Sequence, residues 1–217
     1  MAFMFHHFGT ASSASWLPPV PTGGELTAFL IVTCFAAGLN VYATVVMLGL
    51  LSHAGMLVLP GGLHALENWY VIGVSATLFG VEFAGDKIPV FDLVWNAMQT
   101  FVRVPVAALI AYGATSQLPE WERLVATMLG ASIALAAHGG KTAARAAVTP
   151  SPEPFSNVAL SVSEDALVAL LLWVATKHPF AAAGFVIAML AVIAAMAGAV
   201  VKAMRILFRD SEAAIAK

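Results

Sequence analysis

The chain has 217 residues, 60% of them hydrophobic and 10% charged, with mean hydropathy +0.89 and formal net charge −2. A soluble domain carries roughly 25% charged residues, so this balance calls for lipid rather than water around most of the surface. The charge gives no basis for a nucleic-acid partner, and the single cysteine, Cys34, excludes an intramolecular disulfide or a cysteine-based metal cluster.

Residues 1–24 contain no Lys or Arg and so lack the basic start of an export signal. Phe3, Phe5, Phe8 and Trp16 suit the lipid headgroup level, and the Pro- and Gly-rich run Trp16–Gly24 reads as a non-helical lead-in, making this an interfacial tail. His6 and His7 have no further ligand nearby and read as solvated. A single transmembrane domain follows over 25–208, with halves 25–118 and 119–208, and then a cytoplasmic tail over 209–217.

Six apolar segments fill that domain. The first runs from about Glu25 to Leu51, interrupted at Gly38-Leu-Asn40; the second is Trp69 to Lys87; the third is Phe91 to Thr115, with Arg103 and Pro105 inside it. The fourth is Trp121 to Ala137 with a polar extension from His138 to Arg145, the fifth Asn157 to Thr176, and the sixth Phe180 to Phe208. Each approaches the ~17–25 residues that cross hydrocarbon. The expected fold is an all-α polytopic membrane bundle of about six helices. With both termini cytoplasmic, the inner side receives Lys87, Lys141, Arg145, Lys202, Arg205, Arg209 and Lys217, and the outer loops only Arg123 and Lys177. Three helices per half leave room for a 3+3 inverted repeat with broken helices, although no internal repeat aligns with Glu82-x-x-x-Asp86.

Charge inside such segments is the main functional signal, because ionised groups in hydrocarbon cost at least ~2.5–3.5 kcal/mol each unless paired, hydrated or used. Glu82-Phe-Ala-Gly-Asp-Lys-Ile-Pro89 closes the second segment, and Glu82 and Asp86 share a helix face. They are candidate ligands for a cation, metal ions included; a helix end with side chains reaching to water is the plainer reading of Asp86 and Lys87. Arg103 lies deep in its segment and needs a partner, with Glu82 or Asp92 available. Lys141 and Arg145, four apart, point the same way if their helix continues. Gly139-Gly-Lys-Thr142 lacks the spacing and the strand of a phosphate loop. Pro150, Pro152 and Pro154 predict an extended link, and Ser161-x-x-Glu164 reads as a capping box that starts the fifth helix, with Asp165 suited to the helix dipole. Glu164, Asp165, Asn40 and Asn157 join Glu82 and Asp86 as candidate ion-binding residues; Lys87, Arg103, Lys141 and Arg145 would balance charge or gate.

Over roughly residues 37–178 the chain resembles an uncharacterised family of bacterial membrane proteins classed as a domain of unknown function. The matching strings are Gly38-Leu-Asn40, Glu82–Pro89, His138-Gly-Gly-Lys141 with Arg145, Pro152–Asn157 and Ser163-Glu-Asp165. That resemblance implies a bacterial inner-membrane location and carries no activity. Glu82–Lys87 is also similar to the Glu-x-Gly-Asp-Lys-Ser/Thr signature of six-helix cation–proton exchangers. It departs from that signature by an extra residue before Gly85, by Ile88 in place of the hydroxyl residue, and by the lack of a second copy.

The expectation is a small transporter or channel for a cation, coupled to protons, with the bilayer and a small ion or solute as partners and no cofactor. Nothing forms a nucleophile–base set, so an enzyme is not expected. The competing reading is a non-transporting subunit or assembly factor of a larger membrane complex, or a homo-oligomer, joined through the small residues Gly184, Ala188, Ala191, Ala195 and Gly198. A wet cavity joining Glu82 to Glu164 would favour transport, and a dry, paired cluster the structural subunit.

Overall fold

The computed structural model describes residues 23–85, 89–148 and 154–215, and the side chains of 23–85, 95, 98–145 and 158–206. The regular elements among these residues are all helices: α1 (Gly23–Leu39), α2 (Val41–His53), a short 3-10 helix (Gly61–Glu67), α3 (Trp69–Gly85), α4 (Pro89–Ala114), α5 (Glu120–Val148), α6 (Pro154–Ala175) and α7 (Pro179–Ile215). Pro89, Pro154 and Pro179 each open a helix, where the missing N–H costs nothing and the fixed φ is already helical. Pro154 was expected in an extended link and instead starts α6 for this reason. The tail expected from residue 209 is helical as far as Ile215.

From Val32 to Leu39 helix α1 is buried on all sides, with Val32, Cys34, Phe35, Ala36 and Ala37 inaccessible, and the helix packs against α4, α5, α6 and α7. A helix apolar around its whole circumference belongs at the centre. Gly38 permits a close approach, since a Cβ there would lie 2.4 Å from the Ala134 carbonyl oxygen of α5.

The direction of α1 differs from expectation. Gly24 faces the Phe180 ring at the start of α7, and Gly23 and Leu26 share a groove with Pro60, Gly61, Thr115 and Trp121. Gly38, at the far end of α1, meets Ala134 and Ala137. Helix α2 then returns: Ser52 donates to Glu67 at 2.6 Å, and Gly49 packs on Leu66 and Ile72. The links α2–α3, α4–α5 and α6–α7 thus lie at one end of the bundle together with the start of α1. Helices α1 and α2 form a hairpin with legs of ~26 and ~20 Å, reversing at Asn40. The first apolar segment is therefore two antiparallel helices rather than one interrupted helix, and the start of α1 and the end of α7 lie at opposite ends of the bundle. Hydropathy counts apolar residues without recording direction, and one non-helical residue is enough to turn the chain. Helices α5, α6 and α7 are continuous through their described residues, so the Asn40 break has no counterpart in the second half.

The surface is apolar where a soluble protein would be polar. Tyr70, Phe101, Leu109 and Met128 are 86, 82, 67 and 71% exposed. Among the described residues two helices, over Val158–Ala175 and Pro179–Ile206, are long and apolar enough to cross a membrane. Trp69, Tyr70, Tyr112, Trp121, Trp173 and Phe180 all flank the links at the α1-start end. Glu82, Arg103, Lys141, Arg145 and Glu164 are charged and buried.

A candidate ionic site at the hairpin tip

The site begins with a backbone exchange at Asn40. The Asn40 N–H still donates to Ala36 O at 2.9 Å, and Thr44 N–H to Asn40 O at 3.1 Å, so the helical ladder holds on both sides. The rung between them is replaced: Ala43 N–H donates to the Asn40 side-chain oxygen at 3.0 Å. This is an N-cap for α2, with Asn40 extended at φ −150°, and it releases the carbonyl of Leu39 from its ordinary helical partner. Leu39 O accepts instead from Lys141 Nζ, at 3.1 Å. The Asn40 amide nitrogen donates to Asp165 of α6 at 2.9 Å.

Lys141 connects the two acids named from sequence. Its Nζ lies 3.0 Å from Glu164 Oε2 and 3.9 Å from Glu82 Oε1. Glu82 is the only charged residue of α3 and has no exposure, because α3 turns Ile72, Ser75 and Glu82 inward while Val74 and Val81 face out. Arg103 NH2 donates to Glu82 Oε1 in a fully buried ion pair, and Arg145 NH2 donates to Glu164 Oε2 at 2.8 Å. Helix α5 runs straight through Gly139-Gly140, so His138, Lys141 and Arg145 line one face at three- and four-residue spacing.

His138 was not singled out by sequence, although it begins that spacing. Arg103 NH1 reaches its Nδ1 at 2.9 Å, and Thr100 Oγ1 lies 2.8 Å from its Nε2. A guanidinium can only donate, so Nδ1 is the bare nitrogen and the ring is neutral, with its proton on Nε2. Thr100 and Gln99 precede Arg103 by three and four residues, the spacing by which they could have been found. Gln99 Nε2 donates to Tyr42 Oη at 3.4 Å, while Gln99 Oε1 and Arg103 Nε are buried without a partner among the described residues.

The capping-box reading of Ser161 and Glu164 is corrected. Helix α6 begins two turns earlier at Pro154, which places both residues inside it. The neighbouring Ser163 hydroxyl is met within the helix by Leu160 O at 2.8 Å, and Glu164 is held by α5 rather than by its own N-terminus. Asp86, Lys87 and Asn157, and the suggested Arg103 partner Asp92, lie outside the described side chains, so a Glu82–Asp86 metal pair does so too. Among the described residues no three His, Cys, Asp or Glu side chains gather as metal ligands.

Seven polar residues thus meet where the hairpin tip touches α3, α4, α5 and α6: Asn40, Glu82, Arg103, His138, Lys141, Arg145 and Glu164, none more than 8% exposed. Asp165 borders them. The groove of about 1070 Å³ lies towards the other end, between the starts of α1 and α5, and is lined mainly by apolar side chains such as Leu26, Leu30, Val125 and Leu129.

The family model for a domain of unknown function, DUF4126, matches residues 28–199, which include the hairpin apart from the first five residues of α1 and every residue of this cluster. The chain belongs to that family. No curated protein and no solved structure matches it.

Proposed function

We propose that the protein is a multi-pass ion transporter of the bacterial inner membrane that moves a cation in exchange for protons. The observation that carries this reading is the meeting of a helical hairpin tip with a buried ionic cluster. Broken helices and re-entrant segments place irregular backbone at membrane depth only where protein or a cavity receives it, and transporters use their freed carbonyls to hold ions. Replacing a buried ion-pair network by apolar residues is often neutral or stabilising, so stability alone gives little reason to keep this one. The apolar exterior, the aromatic residues around one end and the charge inside all fit a bilayer.

The hairpin revises the proposed topology. Helices α3 to α7 cross, α1 and α2 enter and leave from the outer face, and the start of α1 lies outside while α7 ends in the cytoplasm. The absence of Lys and Arg from residues 1–24 agrees with an outer location, and Lys141 and Arg145 of α5 and Lys202, Arg205 and Arg209 of α7 remain inside.

A second reading has an observation in its favour. The cluster is buried and its described acids are paired, as expected of a non-transporting subunit. An alternating-access carrier also passes through an arrangement closed to both sides, and sealing by itself fits either. Two measurements separate the readings. Single-cysteine labelling on a Cys34→Ala background should give Gly24, Gly62 and Gln117 the same outer accessibility. Proteoliposomes holding the protein should acidify or alkalinise when a KCl or NaCl gradient is imposed, and liposomes that stay silent under both gradients would leave the subunit reading.

A further inference from the structure

Lys141 occupies a position built for a cation. Its ammonium is surrounded by oxygen from three directions: Glu164 Oε2 at 3.0 Å, Leu39 O at 3.1 Å and Glu82 Oε1 at 3.9 Å. One of these is a backbone carbonyl released by the Asn40 side chain, a ligand that a simple salt bridge does not require. The surroundings also hold polar atoms not yet met. Gln99 Oε1 and Arg103 Nε, both buried, lack partners among the described residues, and Arg103 is bonded directly to Glu82.

Charge counting then fixes the kind of ion. Among the described side chains Arg103, Lys141 and Arg145 face Glu82, Glu164 and Asp165, three charges of each sign. Exchanging the Lys141 ammonium for one monovalent cation keeps that balance, whereas a divalent ion would leave an uncompensated positive charge in a sealed site. The amine also has a natural way to yield. An ammonium pushed aside within a dry cluster would be stranded, but a lysine can release its proton and remain as a neutral amine, which an arginine cannot do.

We propose that the oxygens around Lys141 form a monovalent-cation site, and that a cation enters as Lys141 gives up its proton, in a one-for-one exchange. The N–H bond breaks, its electron pair stays on the amine nitrogen, and the proton leaves to water on the side to which the site opens. The cation takes over Glu82, Glu164 and the Leu39 carbonyl. This deepens the transport reading and rests on it, but the site itself can be tested without flux.

The test uses the full-length protein in detergent, titrated with KCl or NaCl against N-methyl-D-glucamine chloride at constant ionic strength, with weakly buffered proton release and unfolding temperature as readouts. Wild type should release about one proton per cation bound and become more heat-stable as the salt rises, as for any ligand of the folded form. Lys141→Arg should fold and show neither effect. Lys141→Ala, or Lys141→Gln if the alanine variant does not fold, should bind K⁺ or Na⁺ at least about tenfold more tightly, without proton release and with no gain from MgCl₂. A Lys141→Arg protein that exchanges like wild type would overturn the proposal, as would neutral variants blind to monovalent cations. Proton release by a wild type that carries no flux in liposomes would instead retain the site and remove the transport reading.

Discussion

Glu67 and Glu82 make similar bonds in opposite surroundings. Glu67, on the link between α2 and α3, accepts from Ser52 at 2.6 Å and faces His64 at 3.2 Å, with its side chain a third exposed. Glu82 accepts from Arg103 and neighbours Lys141 with no exposure at all. At the first site water screens the charges and would replace either partner. At the second, a lost partner leaves a bare charge inside protein, so each member depends on the rest. The polar link can drift in sequence at small cost, while the buried cluster behaves as one unit.

The sharpest way to break this contrast is to remove Glu82. Glu82→Ala leaves Arg103 and part of the Lys141 charge uncompensated, with an expected loss of ~3–5 kcal/mol of stability in denaturant titrations of the detergent-solubilised protein. Glu82→Gln, which keeps the shape and one acceptor, should lose less. If both cost no more than a surface change, the cluster is wet and the contrast fails.

Asn40 should come next. Asn40→Ala removes an N-cap worth ~1 kcal/mol, with a further contribution from the lost bond to Asp165. It also offers the Ala43 N–H back to Leu39, straightening the break and withdrawing the carbonyl from Lys141. The expected signature is greater helicity by circular dichroism together with weaker monovalent-cation binding.

The smallest effect belongs to Glu67. The Ser52 hydroxyl is the main cause holding its carboxyl below the ordinary value of 4.5, with partial burial opposing it and His64 and His53 assisting. A depressed folded pKa stabilises the protein above the unfolded-state value, and the contribution fades as pH falls through the lower folded one. With the group open to solvent, the difference between wild type and Glu67→Gln should stay within ~1 kcal/mol and disappear in acid, as read from unfolding temperature across pH 3 to 6 at roughly constant salt.

Much of this was legible in the sequence. The apolar segments located the seven α-helices with α1 and α2 as one, while the 3-10 helix Gly61–Glu67 fell in an expected loop; the interruption at Gly38-Leu-Asn40 marked the break, and the cost of charge in hydrocarbon singled out Glu82, Arg103, Lys141, Arg145 and Glu164, which meet in space. Direction was not legible, because α1 and α2 have the hydropathy of one interrupted segment whether the chain goes on or turns back. Ser161-x-x-Glu164 misled since a local cap is the cheapest use of those residues unless another helix supplies partners, and Lys141 and Arg145 do. His138 and the Leu39 carbonyl escaped for a related reason. A single histidine carries no motif, and a backbone oxygen carries no sequence signal at all.

The central claim is that the buried acid serves ion movement while the exposed one serves only the link. Proteoliposomes reconstituted with equal amounts of folded wild type, Glu67→Gln and Glu82→Gln, loaded with a pH-sensitive dye and given a KCl or NaCl gradient, test it directly. The account predicts cation-driven proton flux in wild type and Glu67→Gln and its loss in Glu82→Gln. Equal flux in all three proteins, or none in wild type, would contradict it.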